Sequence, residues 1–516
     1  MDYVDAKLLV VILLSLPISA GLALWLARRY RRAMVALMRS SAPSTVAASP
    51  PPSPSPARPV APDARFSSTD NARRNRHLSL RLAGISLAIG LSTSVYYLTV
   101  IEPDTGFGFR RWLILGLIHS WPVMVSLGLL WRWPLWRSVL AVLAYLAALV
   151  PVVMLASSNE QSALAVSLWL LSTTLVPMLA LFCLTASGRI RAIAPLLFPI
   201  VALLLTASIL GLDLVTAWTE HPPGWFTALV TTIGAWPTIA LLTITPCLIA
   251  TGPAVWLFRT LAQRYRRKAF SELSYLTTSI WLVILTSAAL LATRSTGALA
   301  FGSLAAILWV PLGFRLFAGE TPPPQGVPTL LILRVFQRDA EVEALFDDVT
   351  ERWRTSGNTI LIAGTDLISR TLDADDLFVY LSRRLGERFI ATPDQVSARL
   401  DEFDLAPDDD GRYRVNECYC TDASWQHALV ALVSRANYVL MDLRQFKAHN
   451  EGCRIELRHL GQAAHLRRIL ILHDQDTDRT TAGHDLGTAA TQRVKWIDLT
   501  GRRADGAQVL SALEPD

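Results

Sequence analysis

The residues best suited to chemistry lie near the C-terminus, in the segment Asn450-Glu-Gly-Cys-Arg-Ile-Glu456-Leu457. Cys453 precedes Glu456 by three residues, so a helix would place this thiol and carboxylate one turn apart. A carboxylate at this point could stabilise a developing positive charge or exchange a proton with a ligand. Alternatively, Glu456 is a surface residue favoured by the dipole at the start of a helix. Cys453 is expected to be a small buried apolar residue rather than a nucleophile.

Strands and helices alternate around this segment, over roughly the last 190 residues. Apolar runs predict strands at 330–336, 359–363, 389–390, 437–441, 468–473 and 494–499. Amphipathic patterns predict helices at 340–354, 374–385, 424–434 and 452–465, and the acidic segment 401–412 is expected to be an insertion or hairpin. Near-continuous apolar strands between helices are typical of a doubly wound, flavodoxin-like α/β sheet that is buried on both faces.

Ligands of doubly wound sheets bind at the carboxyl ends of the strands. We therefore expect a binding site among the residues that end or follow strands, with Arg334, Asp339, Gly364 and Asp442 as candidates. For Arg334 and Asp339, the alternative is an exposed ion pair at a strand end.

The composition of the whole chain indicates a membrane protein. Of 516 residues, 52% are hydrophobic and 17% charged, and the chain holds 16 tryptophans. About 20 apolar residues cross a bilayer as a helix. Runs near this length predict nine spans, at 8–27, 82–101, 112–131, 138–156, 162–186, 192–212, 225–258, 273–293 and 298–317. The seventh is interrupted by Pro237, Pro246 and Pro253, so it is either one kinked span or a span with a re-entrant piece.

Basic residues predict the orientation of these spans, because positively charged loops stay in the cytoplasm. With nine spans, all the main clusters fall on one side: Arg28, Arg29, Arg31, Arg32; Arg73, Arg74, Arg76, Arg81; Arg132, Arg137; Arg189, Arg191; Arg264, Arg266, Arg267, Lys268. This places the N-terminus outside and the C-terminal domain in the cytoplasm, at the inner (plasma) membrane of the cell.

Five regions follow from these patterns. Residues 1–32 form a membrane anchor helix, retained rather than cleaved as a signal peptide because Arg residues follow it. Residues 33–81 form a Pro/Ser/Ala-rich linker and basic segment, 82–317 an eight-span bundle, 318–328 a Pro-rich linker, and 329–516 the cytoplasmic α/β domain. Inside the predicted spans ionisable groups are scarce, and His119 is expected to hydrogen-bond a neighbouring helix rather than to serve a proton path.

Charge and cysteines exclude several classes of protein. From residue 329 onward the chain carries 23 Lys and Arg against 31 Asp and Glu, whereas the preceding part carries 25 against 11. The basic excess therefore lies beside the membrane, where anionic lipids attract it, and nucleic acid is not an expected partner. Five cysteines argue against a disulfide framework. Cys418 and Cys420 lack a second Cys/His pair, so no metal site is predicted.

The C-terminal region resembles a Toll/interleukin-1 receptor (TIR) domain. The resemblance is carried by LLILRVFQRD (330–339), by SWQHALVALVSRANYVLMDL (424–443) and by GCRIEL (452–457), the last matching a Cys-x-x-Glu-Leu helix. It would cover about 180 residues. Gly452 stands where many members have Trp, and the stretch 391–420 differs from the usual length of the family.

For such domains the resemblance implies either self-association in signalling or cleavage of NAD through a glutamate at the position of Glu456. NAD would then be a substrate and no prosthetic group is implied. The expected function is a membrane signalling or defence effector that cleaves NAD when clustered. The alternatives are a non-enzymatic membrane sensor or scaffold that associates through this domain and, third, a transporter with a regulatory domain.

Overall fold

The computed structural model describes residues 3–40, 63–156, 162–185, 193–316, 326–334, 340–363, 374–421, 424–500 and 505–515. The part before residue 317 is helical. Its helices are α1 Tyr3–Ser40, α2 Ser68–Tyr96, α3 Phe109–His119, α4 Val123–Leu130, α5 Leu135–Ala156, α6 Ala163–Thr185, α7 Ala194–Glu220, α8 Gly224–Ile233, α9 Ala235–Arg266, α10 Glu272–Thr296 and α11 Trp309–Leu316. Short π and 3-10 segments, Tyr97–Ile101 and Gly297–Leu308, extend α2 and precede α11.

Eight helical stretches of the described residues are long and apolar enough to cross a membrane. They are Val10–Leu37, Ser68–Ile101, Phe109–Leu130, Leu135–Ala156, Ala194–Glu220, Ala235–Arg266, Glu272–Ala289 and Gly297–Leu316. A further helix, α6, is 23 residues long. Its apolar stretch Ala163–Leu175 is shorter than the eight stretches above. Several apolar helices of this length are compatible with a multi-pass membrane protein. The count of nine spans stays a prediction.

The predicted span 225–258 is divided in the structure at a glycine. Gly234 adopts a φ of +93°, a conformation that L side chains rarely take, and it separates α8 from α9. Pro246 and Pro253 lie inside α9, which is 32 residues long. The ten residues of α8 are too few to cross a bilayer, whereas α9 is long and apolar enough to do so.

Close packing of α2 and α3 depends on small residues. A Cβ atom added to Gly90 would lie 2.4 Å from the carbonyl oxygen of Gly116, so the two backbones touch. In the same helix pair the Nδ1 atom of His119 lies 3.2 Å from the Ser94 hydroxyl and 2.8 Å from the Leu115 carbonyl oxygen. The prediction that His119 is hydrogen-bonded to a neighbouring helix is confirmed.

The C-terminal region contains a seven-stranded sheet in which every neighbouring pair is parallel. Its strands are β1 Thr329–Arg334, β2 Asn358–Ala363, β3 Phe389–Ile390, β4 Val415–Cys420, β5 Tyr438–Asp442, β6 Arg468–His473 and β7 Val494–Asp498, in the order β3-β4-β2-β1-β5-β6-β7. Along the chain, the strands on one side of β1, β2 to β4, therefore come first, and those on the other side, β5 to β7, follow.

Helices cover both faces of this sheet. They are α12 Ala340–Trp353, α13 Ala374–Leu381, α14 Gln395–Asp401, α15 Trp425–Arg435, α16 Glu451–Gln462, α17 Arg479–Leu486 and α18 Gly506–Leu513. One face packs against α12, α13 and α18, and the opposite face against α14 to α17. The prediction of a doubly wound α/β sheet is confirmed, and β4, which follows the acidic segment 401–412, is a strand that was not predicted.

The helical part and the sheet share one apolar core. Phe66 stacks on Trp353 with ring centroids 4.7 Å apart, and Phe258 contacts Phe378 at 5.1 Å. The region 33–81 was expected to be a linker and basic segment. In the structure α1 continues into it as far as Ser40, α2 begins at Ser68, and Phe66 of this region makes the contact with Trp353. The intervening residues 41–62 and the Pro-rich segment 317–325 lie outside the described residues.

Candidate active site at the carboxyl edge of the sheet

The centre of the carboxyl edge is formed by β1 and β5, where the direction of chain progression reverses. Arg334 at the end of β1 pairs in register with Asp442 at the end of β5. Arg334 and Asp442 are thus brought together at the backbone level, as the strand-end rule predicts. The side chain of Arg334 lies outside the described part, as do Asp339 and Gly364, so the predicted roles of these three residues stay predictions.

The carboxylate of Asp442 is engaged by its own loop. Its Oδ1 accepts a hydrogen bond from Arg444 Nε at 3.0 Å, and its Oδ2 accepts one from Arg444 Nη2 at 2.8 Å. The side chain of Asp442 is only 6% exposed. A buried two-point pair of this kind positions the loop after β5.

Glu456 lies on the buried face of α16, together with Cys453 and Leu457. The side chain is 6% exposed, and its Oε2 atom has no hydrogen-bond partner among the described residues. Loss of solvent on burial raises the pKa of Glu456 from its ordinary 4.5 to about 8. This carboxyl therefore keeps its proton at neutral pH, and the alternative of a surface residue at a helix start is wrong.

Cys453 stands one turn before Glu456 and is 4% exposed. Burial, followed by the nearby Glu456 carboxylate, raises the pKa of the Cys453 thiol to about 12. Because the thiolate is the nucleophilic form, this side chain is inert at neutral pH. The expectation that Cys453 acts as a small buried apolar residue agrees with these surroundings.

Loops after β5 and β6 meet beside this edge. The backbone N–H of Gln445, which has a φ of +60°, donates to Asp474 Oδ1 at 3.0 Å. Both residues follow the ends of their strands, where doubly wound sheets bind ligands, and the structure joins them. The His473 ring lies 5.7 Å from the Trp496 ring, and the Arg479 guanidinium lies 5.1 Å from that ring. Arg479 was not predicted because α17 was not recognised, whereas Trp496 lies within the predicted strand 494–499 but was not singled out.

A second polar region joins the helical part to the α/β domain and was not predicted as such. Glu351, 2% exposed, accepts from Arg132 Nε at 2.7 Å, from Arg412 Nη1 at 3.0 Å and from Arg354 Nη1. Arg132 also contacts Asp347 at 2.9 Å. We call Arg132, Asp347, Glu351, Arg354 and Arg412 the junction cluster. The sequence shows these residues only as a basic loop and a polar helix face, because Arg132 is 219 residues and Arg412 is 61 residues from Glu351 along the chain.

A cavity of about 440 Å³ lies next to the junction cluster. Arg132 and Arg354 line it, and so do Tyr265 at the end of α9 and Arg414 before β4. The Arg414 guanidinium lies 4.1 Å from the Tyr265 ring centroid and binds Asp408 at 2.9 Å. Within the described residues, no group of three or more His, Cys, Asp or Glu side chains could hold a metal ion.

Comparison of the chain with protein families, with curated proteins and with solved structures finds no match.

Proposed function

We propose that this protein is an integral membrane signalling or defence effector of the plasma membrane, whose cytoplasmic α/β domain cleaves NAD when neighbouring copies cluster. The observation that carries the proposal is the buried carboxyl of Glu456, whose Oε2 atom lacks a partner in the described part of the chain. A buried carboxyl without a hydrogen-bond partner lowers the stability of the folded chain. Buried groups with shifted pKa values concentrate at functional sites.

The chemistry of NAD suits this carboxyl. The nicotinamide ring of NAD is cationic, and an adjacent positive charge lowers the pKa of a buried carboxyl. Substrate binding would therefore expel the proton of Glu456 and leave a carboxylate beside the ribose. As the bond between the ribose carbon and the nicotinamide nitrogen breaks, the ribose becomes oxocarbenium-like, and the carboxylate stabilises this charge. Water then adds to the ribose carbon, giving ADP-ribose, nicotinamide and one proton.

The helical part supplies the membrane anchor and the means of clustering. Basic residues at the predicted cytoplasmic loops support a cytoplasmic α/β domain. The direct packing of this domain on the helices, as in the contact between Phe66 and Trp353, allows a change in the bundle to reach the sheet.

A non-enzymatic membrane sensor or scaffold is the second candidate. Glu456 lies on the same face of α16 as Leu457 and Leu460, which pack into the sheet core. This position in the core favours a structural rather than a catalytic role for Glu456. In this alternative the domain associates with further copies of itself, and Glu456 has no substrate.

The test is nicotinamide release from NAD by the full-length chain in lipid vesicles, at low and high protein density. We expect release that rises with density and falls by at least about 100-fold in Glu456→Gln. Glu451→Gln is the matched control, because Glu451 lies on the same helix with 66% of its side chain exposed. Absence of release at every density from folded protein would overturn the enzymatic proposal and leave the scaffold.

A further inference from the structure

Two cysteine thiols lie side by side on β4, which β2 separates from β1 in the sheet. Cys418 and Cys420 are two residues apart on a strand, so their side chains project from the same face. Their Sγ atoms lie 3.4 Å apart. Both are free cysteines and both pack toward the sheet face covered by α14 and α15.

The two thiols differ in their access to solvent. Cys418 is 2% exposed, whereas Cys420 is half-buried. The hydrogen bond with the adjacent Cys420 thiol, followed by burial, raises the pKa of Cys418 well above its ordinary value. Cys420 is therefore the thiol that a reagent in solution meets first.

We propose that Cys418 and Cys420 form a redox-active dithiol, which low-molecular-mass disulfides oxidise to a disulfide within β4. The Cys420 thiolate attacks one sulfur of the small disulfide and forms a mixed disulfide, releasing one small thiol. Cys418 loses its proton and attacks the Cys420 sulfur, and the second small thiol leaves. The two cysteines together lose two electrons and two protons, and one small disulfide becomes two small thiols.

The strand geometry makes this disulfide easy to reduce. A disulfide requires a sulfur–sulfur distance of about 2.05 Å and Cα atoms no more than about 6.8 Å apart. Residues two apart in an extended strand are separated by about 6.6 Å, at the upper end of this range and beyond the usual value of about 5.5–6 Å. Drawing the Sγ atoms from 3.4 Å to bonding distance therefore pulls the two Cα atoms together and bends β4 at Tyr419. Strained disulfides of this kind are the labile, regulatory ones rather than structural staples.

The bend would act on the side of the sheet that faces the helical part. Tyr419 projects opposite to the two cysteines, packs on Phe389 at 5.6 Å and donates to Glu417. Glu417 and Val415 line the cavity beside the junction cluster. Oxidation of the dithiol is therefore expected to alter the contact between the α/β domain and the helices.

The experiment uses the full-length protein in vesicles, equilibrated with mixtures of reduced and oxidised glutathione. Remaining thiols are alkylated after denaturation, and the chain is cleaved after Arg and Lys. The peptide 415–435 contains both cysteines of the pair and no other, whereas peptide 448–454 contains Cys453 alone. As oxidised glutathione increases, we expect peptide 415–435 to lose two hydrogens and to escape alkylation, reversibly. Peptide 448–454 should stay alkylated throughout, because Cys453 is buried and alone.

Single-cysteine variants test the order of attack. Cys418→Ser should carry a glutathione adduct on Cys420, and Cys420→Ser should carry none on the buried Cys418. Alkylation of both cysteines of the unmodified protein at every glutathione ratio would overturn the proposal, as would stable glutathione adducts without loss of two hydrogens. Neither result depends on cleavage of NAD, so this proposal and the proposed function fail separately.

Discussion

At the scale of single residues, Glu456 was found from its spacing to Cys453, but its burial was not anticipated. The signal for burial is present in the sequence, because Cys453, Leu457 and Leu460 define the apolar face of a helix on which position 456 also lies. Because glutamate in the first turns of a helix is normally exposed, the residue type itself argued against burial at position 456.

The raised pKa of Glu456 predicts how stability depends on pH. Below pH 4.5 the carboxyl is protonated in the folded and unfolded chains, and burial carries no charge penalty. Between pH 4.5 and about 8 the unfolded chain releases its proton while the folded chain retains it, so stability falls as pH rises. A pKa that moves from 4.5 to about 8 corresponds to a decrease of roughly 4 to 5 kcal/mol in the free energy of unfolding. This decrease is complete above pH 8.

Glu456→Gln should remove this pH dependence. The variant is expected to equal the unmodified protein near pH 5 and to be more stable at pH 8 and above. The measurement is the free energy of unfolding of the α/β domain in the full-length protein at a series of pH values. Equal slopes for the two proteins would show that Glu456 is ionised in the folded state, in contradiction to its burial without a partner.

At the scale of elements, continuous apolar runs were sufficient to locate β1, β2, β5 and β6, because these strands are buried on both faces. The strand β4 was missed, since Val-Asn-Glu-Cys-Tyr-Cys contains neither a continuous apolar run nor a strict alternation of polar and apolar residues. The short helices α14, α17 and α18, of seven or eight residues, were missed. Tertiary packing decides such short elements, and local propensity does not.

The packing of α16 on α17 gives an element-scale prediction. A Cβ atom on Gly461 would lie 2.0 Å from the carbonyl oxygen of Leu486, so alanine would force α16 and α17 apart. Gly461→Ala is expected to destabilise the α/β domain by about 1–3 kcal/mol. Gly452→Ala is the control on the same helix, because no atom lies within 4 Å of its added Cβ, and it should be neutral or stabilising.

Thermal unfolding of both glycine variants, with hydrogen exchange of α16, checks this prediction. Because α16 carries Glu456, exchange should quicken in Gly461→Ala around residues 456–462 and stay unchanged in Gly452→Ala. Equal melting temperatures for the two variants would contradict the close contact between the helices.

At the scale of the whole molecule, the apolar composition indicated a membrane body and a separate α/β domain, and the division near residue 320 follows from it. How the two parts join was not predictable. Arg132 was interpreted as a topology signal in a short loop, but the structure places its guanidinium on Glu351 and Asp347 of α12. Its φ of +48° is rare for an L-residue, and the ion pairs across the junction offset that strain.

The junction cluster predicts graded effects of substitution. Glu351→Gln should cost about 3–5 kcal/mol, because it leaves the buried guanidiniums of Arg354 and Arg412 and the partly buried one of Arg132 without a full counter-charge. Arg132→Gln should cost less, about 1–3 kcal/mol, since Glu351 keeps the other two guanidiniums. Arg137→Gln is the control: it removes an equal charge close by, from an exposed side chain that stacks on Trp133 at 4.7 Å.

Hydrogen exchange of α12 in the full-length protein in vesicles measures how firmly the α/β domain is held. The expected order of exchange rates is Glu351→Gln fastest, then Arg132→Gln, with Arg137→Gln equal to the unmodified protein. If the two Arg variants exchanged alike, the charge of the loop rather than the specific ion pairs would hold the domain. A selective effect of Arg132 would identify the route by which a movement of the membrane helices reaches the sheet, because Arg132 directly follows α4 and α12 lies between β1 and β2 along the chain.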